Sequence, residues 1–248
     1  MSSGIRTYDV AVVTLQETPG PLHDALVEQW GSDIVAGRRP AGSRIASEQA
    51  AQQLGVSRTV IREAVRVLES LGLVEARQRV GITVLPADRW TPYDPRVLRW
   101  RLAGPERLDH LRSLGELRSA VEPLAARLAA DRATPEQCGA LAAAVIGMAA
   151  TSRAANAGAY LQHDIDFHTI LLRAAGNPML AGLTAVVVAV LEGRTEHELM
   201  PSVADAEALR LHGEVAAAVQ AGDAAGAEAA MRGIVAESVD ALSHLTTT

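Results

Sequence analysis

The sequence predicts a mainly α-helical protein with two domains, and three observations support this fold class. Hydrophobic residues make up 48% of the 248-residue chain but aromatic residues only 3%, a balance that suits packed helices better than sheets. Pro86, Pro92 and Pro95 interrupt the pattern and mark a linker. The net charge of −6 is also uneven, because residues 1–90 are neutral and the acidic excess lies beyond them.

Before the linker, the pattern predicts three helices followed by two short strands. Apolar residues at Leu22, Leu26, Trp30 and Ile34 repeat at helical spacing. Ser47 is the expected N-cap of the short helix "EQAAQQLG", and "RTVIREAVRVLESLG" predicts a longer one. The segments "LVEA" and "GITVL" flank the basic turn "RQRV", which is typical of a β-wing.

Beyond Pro95, the periodicity predicts an all-α bundle of six or seven helices. Breaks such as "DRATPEQ", "AAGNP" and "QAGD" supply Pro, Gly and capping residues between them. The predicted helices span 95–102, 107–131, 134–153, 157–175, 178–199, 203–221 and 223–245. The expected domains are a flexible arm at 1–18, a winged helix–turn–helix at 19–86, a linker at 87–94 and the helical domain at 95–248.

The longer helix of the first domain carries basic side chains opposite its apolar face. Ile61 and Leu68 belong to the predicted core face, whereas Arg58 and Arg62 lie on the opposite side. Residues 34–82 contain eight Arg and four Glu. In a helix–turn–helix such a helix enters the major groove of DNA, where Arg can hydrogen-bond to guanine. The alternative is a solvated Arg/Glu helix in another small domain, since such pairs are common on exposed helices.

The stretch "GSRIASEQAAQQLGVSRTVIREAVRVLESLGLVEARQRVGITV" resembles the winged helix–turn–helix of GntR-type transcription regulators, through its "SE…LGVSR…REA…LE…GLV" pattern. The resemblance implies that this part binds double-stranded operator DNA. Ala46 and Gln49 stand where relatives usually have Pro and often Arg, and the wing has fewer glycines, so we expect an altered operator preference. The expected DNA-binding residues are Arg44, Ser47, Glu48, Gln49, Ser57, Arg58, Thr59, Arg62, Arg77, Gln78, Arg79 and Gly81.

In the second domain, "HDIDFH" at 163–168 is unusually rich in titratable groups. Asp164 and His168 lie four residues apart on the apolar stripe of their helix, so both are predicted to point into the bundle. His163 and Asp166 lie off that stripe and are expected to be solvated. A carboxylate and an imidazole at this spacing suit two ligands of one cation.

Three further polar residues lie on apolar stripes of other helices: His212, Arg118 and Arg194. Each one alone is better explained as a core residue with a polar partner, such as Glu122 for an inward Arg. Together with Asp164 and His168 they predict a polar cavity that holds a cation and a small carboxylate effector, for which Arg118 and Arg194 supply the guanidinium groups.

This domain resembles the FCD effector domain of the FadR-like branch, through "DPRVLRWRL", "ELRSAVEPLAARLAA", "DIDFHTILLRAAGNPML" and "LHGEVAAAVQAGDAAGAEAAMRGI". Regulators of sugar-acid catabolism, including galactonate-type regulators, are the most similar. The resemblance implies Asp164, His168 and His212 as ligands of a divalent metal, with Zn²⁺ preferred. Ile234 occupies the position of the usual fourth ligand, a His, so the alternatives are an open three-ligand site and a metal-free cavity.

The leading functional hypothesis is a ligand-responsive regulator that binds a pseudo-palindromic operator as a homodimer and is released by its effector. The alternative is a metal-dependent hydrolase that uses Asp164, His168 and His212. Against an enzyme, the sequence has neither a nucleophile motif nor a glycine-rich phosphate loop. A fatty-acyl ligand is disfavoured by the inward charges.

The sequence also predicts a compartment. The single Cys138 excludes an intrachain disulfide and fits a reducing environment. We find no signal-peptide core, and no apolar run reaches the ~18 residues that a membrane helix needs. We therefore expect a cytoplasmic protein without a membrane partner.

Overall fold

A computed structural model describes the backbone of residues 21–196 and 206–245. The predicted flexible arm at 1–18 lies outside the described residues. Within the described residues the chain is mainly helical, and its one sheet lies in the N-terminal domain. The fold class predicted from the sequence is confirmed.

The N-terminal domain has three helices and a small antiparallel sheet of order β1-β3-β2. The Ser57 hydroxyl accepts a hydrogen bond from the Val60 amide and caps the longer helix. The predicted core residues Ile61 and Leu68 are buried. The short β1 was not predicted from the sequence. The elements are α1 (Pro21–Val35), β1 (Arg44–Ile45), α2 (Ser47–Leu54), α3 (Arg58–Ser70), β2 (Val74–Arg77) and β3 (Gly81–Val84).

The C-terminal domain is a helical bundle, and most of its helices match the predicted spans to within a few residues. Thr134 and Asn156 cap the start of two of them, which is why the chain turns at these positions. The helices are α4 (Pro95–Leu102), α5 (Arg107–Arg132), α6 (Pro135–Arg153), α7 (Ala157–Ala174), α8 (Pro178–Ala181), α9 (Thr184–Glu196), α10 (Ala206–Ala221) and α11 (Ala224–Leu245).

The predicted helix 178–199 is wrong as a single element, because the chain breaks between α8 and α9. Gly182 ends α8, and the Thr184 hydroxyl bonds to the Ala181 carbonyl at 2.8 Å as the next helix starts. Glycine is a weak helix former, and the break lets Leu180 and Val187 reach the same apolar cluster.

The stretch Pro178–Thr195 has 18 residues and a mean hydropathy of 1.3, enough by length and composition alone to span a membrane. This corrects the expectation that no run reaches that length. In the structure the stretch is interrupted at Gly182, and Val186, Val190 and Leu191 are buried against neighbouring helices. Its apolar side chains thus belong to the core of the bundle.

Helix α4 contributes side chains to the hydrophobic core of each domain. Val97 and Trp100 complete the core of the N-terminal domain, whereas Leu98 and Leu102 pack against α5 and α9. Trp100 donates its indole N–H to Glu28 on α1 at 2.8 Å. The two domains are therefore joined by a helix that is anchored on opposite faces.

Candidate functional site

All twelve residues predicted to contact DNA are exposed, on α2, the first half of α3, β1 and the wing. Arg58 is ion-paired with Glu48 across the turn between α2 and α3. Arg62 has no ion pair with any acid in the described part of the chain. The order short helix, turn, long helix and wing is the arrangement that places such residues against a DNA groove and its phosphates.

The wing presents a second basic edge. Arg77 pairs with Glu75 at 3.0 Å on β2. Arg79 follows in the turn with a φ of 67°, a left-handed conformation that ordinary residues rarely adopt. Gly81 has a φ of 95° and starts β3. Both backbone conformations hold the tight turn that projects Arg79 and Gln78 from the sheet.

The five inward residues predicted in the second domain are all buried and line one cavity of about 90 Å³. Helices α5, α7, α9 and α10 supply the five predicted side chains, and α11 closes the cavity with Ile234 and Ser238. Exposed residues at the turn between α6 and α7 form part of its rim. The five predicted side chains are Arg118, Asp164, His168, Arg194 and His212.

Asp164, His168 and His212 form a compact ligand set whose potential ligand atoms all lie within 4.8 Å of one another. Oδ1 of Asp164 is 3.2 Å from Nε2 of His212 and 3.4 Å from Nε2 of His168. Neither Asp164 Oδ1 nor His212 Nε2 has a well-oriented hydrogen bond within the described residues. Buried polar atoms without partners are rare, and a cation between them would satisfy both.

The other ring nitrogen of each histidine faces a protein acceptor. Nδ1 of His212 lies 2.7 Å from the Ala208 carbonyl oxygen. Nδ1 of His168 lies 2.9 Å from Oε2 of Glu122, within ion-pair distance but without the orientation of a hydrogen bond. This outer contact is the usual way in which proteins fix the tautomer and orientation of a metal-binding imidazole. Both Nε2 atoms are thereby directed to Asp164.

Glu122 links the ligand set to Arg118. Its carboxylate is fully buried and accepts hydrogen bonds from Nε of Arg118 at 2.6 Å and from Nη2 at 3.2 Å. Burial by itself raises the pKa of Glu122, but the charges of Arg118 and His168 hold that pKa down at about 2. Glu122 is therefore an anion at neutral pH that neutralises two neighbours.

The charges of the cluster are strongly coupled. Burial alone would raise the pKa of Asp164, yet the two imidazoles beside it keep that pKa well below its ordinary value. Burial would lower the pKa of His168, but the carboxylates of Glu122 and Asp164 raise it to about 9. A divalent cation at this position would take the place of the His168 proton.

The two arginines give the cavity its capacity for an anion. Nη1 of Arg118 and Nε of Arg194 are buried without hydrogen-bond partners in the described part of the chain. Arg194 donates from Nη1 to the Ser238 hydroxyl at 2.5 Å. Burial and the nearby Arg118 charge lower the pKa of Arg194 to about 10, so it remains a cation at neutral pH. A carboxylate could accept from both guanidinium groups.

Comparison with known proteins decides the family. A model of bacterial regulatory proteins of the gntR family matches residues 22–84, and a model of the FCD domain matches residues 113–237. An HTH-type transcriptional regulator of Mycobacterium tuberculosis (strain ATCC 25618 / H37Rv) is 36% identical over 202 residues, 79% of each chain. The chain belongs to the GntR family. It is a transcription regulator with a DNA-binding domain and an FCD domain.

Two similar relatives of this GntR-family chain are repressors by name. The galactonate operon transcriptional repressor of Escherichia coli (strain K12) is 29% identical over 225 residues, which cover 90% of this chain and 97% of that repressor. The probable D-xylose utilization operon transcriptional repressor of Paenarthrobacter nicotinovorans is 28% identical over 219 residues, 86% of this chain and 84% of the relative.

Solved structures support the fold. Escherichia coli McbR/YncC matches with a TM-score of 0.52 at 18% identity, over 92% of this chain and 99% of that one. The Listeria monocytogenes protein Lar matches with a TM-score of 0.57 at 16% identity, over 92% and 100%.

Sequence reasoning found the inward residues of this FCD domain but missed three features of the cavity. Tyr160 and Ser238 line it, four residues before Asp164 and four after Ile234. That helical spacing is a signal that could have found them. The contact of Glu122 with His168 was also missed, because it joins different helices. Ile234, predicted to occupy the position of the usual fourth His ligand, is buried at the cavity wall.

Proposed function

We propose that this protein is a transcriptional repressor that binds its operator as a homodimer and is released by a small carboxylate bound in the FCD cavity. One observation supports this most directly: an exposed basic reading face and a buried polar cavity with unpartnered groups occur in one chain. A sugar acid is our candidate effector, since the relative named as a galactonate operon repressor aligns along 97% of its length.

We infer the homodimer from the DNA-binding domain. One helix–turn–helix makes few base contacts, and two DNA-binding domains on a pseudo-palindromic site double the number of contacts. The proposed DNA contacts are those of α3, α2 and the wing, with Arg58 and Arg62 at the bases. The proposed site of action is the cytoplasm, where the operator lies.

The residues at the cavity fit a divalent metal, and we assign Zn²⁺ as the preferred ion. Asp164, His168 and His212 offer one carboxylate oxygen and two imidazole nitrogens, the ligand types that zinc accepts. Three protein ligands leave one coordination position open. When bound, the ion would supply a Lewis acid for an effector oxygen, while Arg118 and Arg194 hold the effector carboxylate.

A path of direct contacts leads from the cavity to the DNA-binding domain. Arg194 on α9 follows Gly193, where an added Cβ would meet Leu102 of α4 at 3.0 Å. Trp100, two residues before Leu102, is bonded to Glu28 on α1. An effector that draws Arg194 into the cavity would act on α9 and through it on α4. These contacts support coupling between effector binding and the spacing of the two DNA-binding domains in the proposed dimer.

No feature of the described site favours the hydrolase alternative. Glu237 also lines the cavity, and its charge acts on Arg194. The two carboxylates that contact the histidines, Asp164 and Glu122, contact histidine or arginine at 2.6–3.4 Å. Neither is placed as a separate general base that could activate water. The two arginines suit binding of an anion better than its hydrolysis.

The test begins with selection of operator duplexes from a random library by the full-length protein. We expect an inverted repeat, and binding of a single half-site by one chain would contradict the dimer. A thermal-shift screen of aldonic and other hydroxy acids, with Zn²⁺ and with a chelator, then identifies effectors by the rise in melting temperature.

His168→Ala separates the two activities. The variant should bind the selected operator like the wild type but should no longer release it when the effector from the screen is added. His163→Ala, on the same helix but half-buried outside the cavity, is the matched control. If His168→Ala still responds to the effector, the cavity is not the effector site.

A further inference from the structure

A second and larger cavity lies at the junction of the two domains and is separate from the FCD cavity. This junction cleft has a volume of about 560 Å³. Its walls come from the end of α1 and the following turn, from the end of β3 and the linker, and from the start of α5 with the turn before it. A ligand in the cleft would therefore touch both domains.

The cleft contains two arginines stacked on tryptophans. Arg101 lies over the ring of Trp90, with 5.6 Å from its guanidinium carbon to the ring centroid, and Arg39 lies over Trp30 at 5.4 Å. Arg101 has no ion pair with any acid of the described residues. Nε of Arg39 is buried without a hydrogen bond, 3.6 Å from an Asp33 oxygen. The stacking holds both guanidinium groups in place without neutralising them fully.

His110 adds an unpartnered polar atom to the same wall. Its Nε2 is buried and makes no hydrogen bond within the described residues. Burial and the charge of Arg101 lower the pKa of His110 to about 4, so the imidazole is neutral at physiological pH. A neutral imidazole beside a guanidinium can donate to an anion without adding a further charge.

Arg39 pairs with Asp33, but within the described residues no acid that lines the cleft forms an ion pair with Arg101 or His110. Glu106 and Asp109 are exposed on its rim, and Asp109 pairs with Arg112 at 2.8 Å. The remaining walls are largely apolar, with Val84 and Leu114 buried among them. Drug-sized ligands bind in cavities of about this size, where apolar walls surround a few polar groups.

We propose that the junction cleft binds a planar aromatic carboxylate, whose ring packs beside Trp90 and whose carboxylate contacts Arg101 and His110. A small inorganic anion would leave most of the apolar wall in water, and an uncharged aromatic compound would leave the guanidinium unpaired. Because the ligand would bridge the two domains, it would alter operator affinity without entering the FCD cavity.

The test uses 1-naphthoate as the probe, with inorganic phosphate and naphthalene-1-methanol for comparison, and measures binding to the full-length protein by calorimetry. We expect one naphthoate site per chain. Arg101→Gln should weaken it by roughly tenfold or more, since a charge-assisted hydrogen bond is lost. Arg96→Gln, an exposed arginine on the same helix, is the control and should bind like the wild type.

Two further variants keep the test decisive. Ser113→Trp fills the cleft from its exposed side without removing a charge, and it should abolish naphthoate binding. His168→Ala should leave naphthoate binding unchanged, because the cleft is independent of the metal ligands. The proposal is overturned if naphthoate shows no saturable binding at millimolar concentration, if phosphate or the alcohol binds as tightly, or if His168→Ala and not Arg101→Gln removes the binding.

Discussion

Glu122 is the residue on which both the stability and the proposed metal site of the FCD domain should depend. Its side chain is fully buried and contacts Arg118 at 2.6 Å and His168 at 2.9 Å. Glu122→Gln keeps the shape but leaves the Arg118 charge buried without its counter-ion. Breaking such a pair costs about 3–5 kcal/mol. In a chain of this size we therefore expect the melting temperature of the domain to fall by about 6–20 °C.

The measurement is thermal unfolding followed by circular dichroism, in a chelator so that bound metal adds no stability. Glu63→Gln is the matched control, because its pair with Arg66 has side chains 47% and 61% exposed. An exposed pair contributes about 0–1 kcal/mol. A Glu122→Gln melting curve that coincides with the control would refute a charged, desolvated pair at the centre of the bundle.

The same variant tests the orientation of His168. If Glu122 holds the imidazole so that Nε2 faces Asp164, then Glu122→Gln should weaken Zn²⁺ binding by about 10–100-fold, as loss of such outer contacts does elsewhere. Competition with a chromophoric chelator measures this at a temperature where the variant is folded. Unchanged zinc affinity would show that His168 is positioned by its packing alone.

Three other changes test separate parts of the molecule. Arg58→Ala should weaken binding to the selected operator by roughly 1–3 kcal/mol, measured by fluorescence anisotropy. Arg66→Ala, farther along the helix, should weaken it less. Equal losses of affinity would show that Arg58 does not contact the DNA bases. Ile234→His should raise Zn²⁺ affinity by completing four ligands, with Ile234→Leu as the control that should not. Glu28→Gln weakens the bond to Trp100 and should reduce the ratio of operator affinities without and with effector; an unchanged ratio argues against coupling through α4.

The inward residues of the bundle could be predicted because their direction is a local property. In a helix packed on one side, the apolar stripe defines which residues face the core. Asp164 and His168 share the stripe of α7, and His212 shares that of α10, so their burial followed from spacing alone. The exposed arginines of α3 were predictable for the same reason.

The features that the sequence did not predict depend on packing between elements. The break at Gly182 lies in an almost continuous apolar stretch, where periodicity cannot distinguish one helix from two. The contact of Glu122 with His168 requires α5 and α7 to meet at one level. The junction cleft depends on how the linker folds back between the domains, which no local pattern encodes.

In the proposed function, Ile234 determines what the FCD cavity can sense. A fourth imidazole there would complete the shell of a metal by protein alone, and an effector could then bind only by displacing a ligand or adding to the shell. With an isoleucine at the wall, Asp164, His168 and His212 would hold the ion alone, and an effector carboxylate that pairs with Arg194 could supply the remaining ligand. Metal and effector would then each raise the affinity of the other by the same factor. Ile234 in place of His thus favours a cavity that responds to metal and effector together over one in which the protein alone completes the metal's ligands.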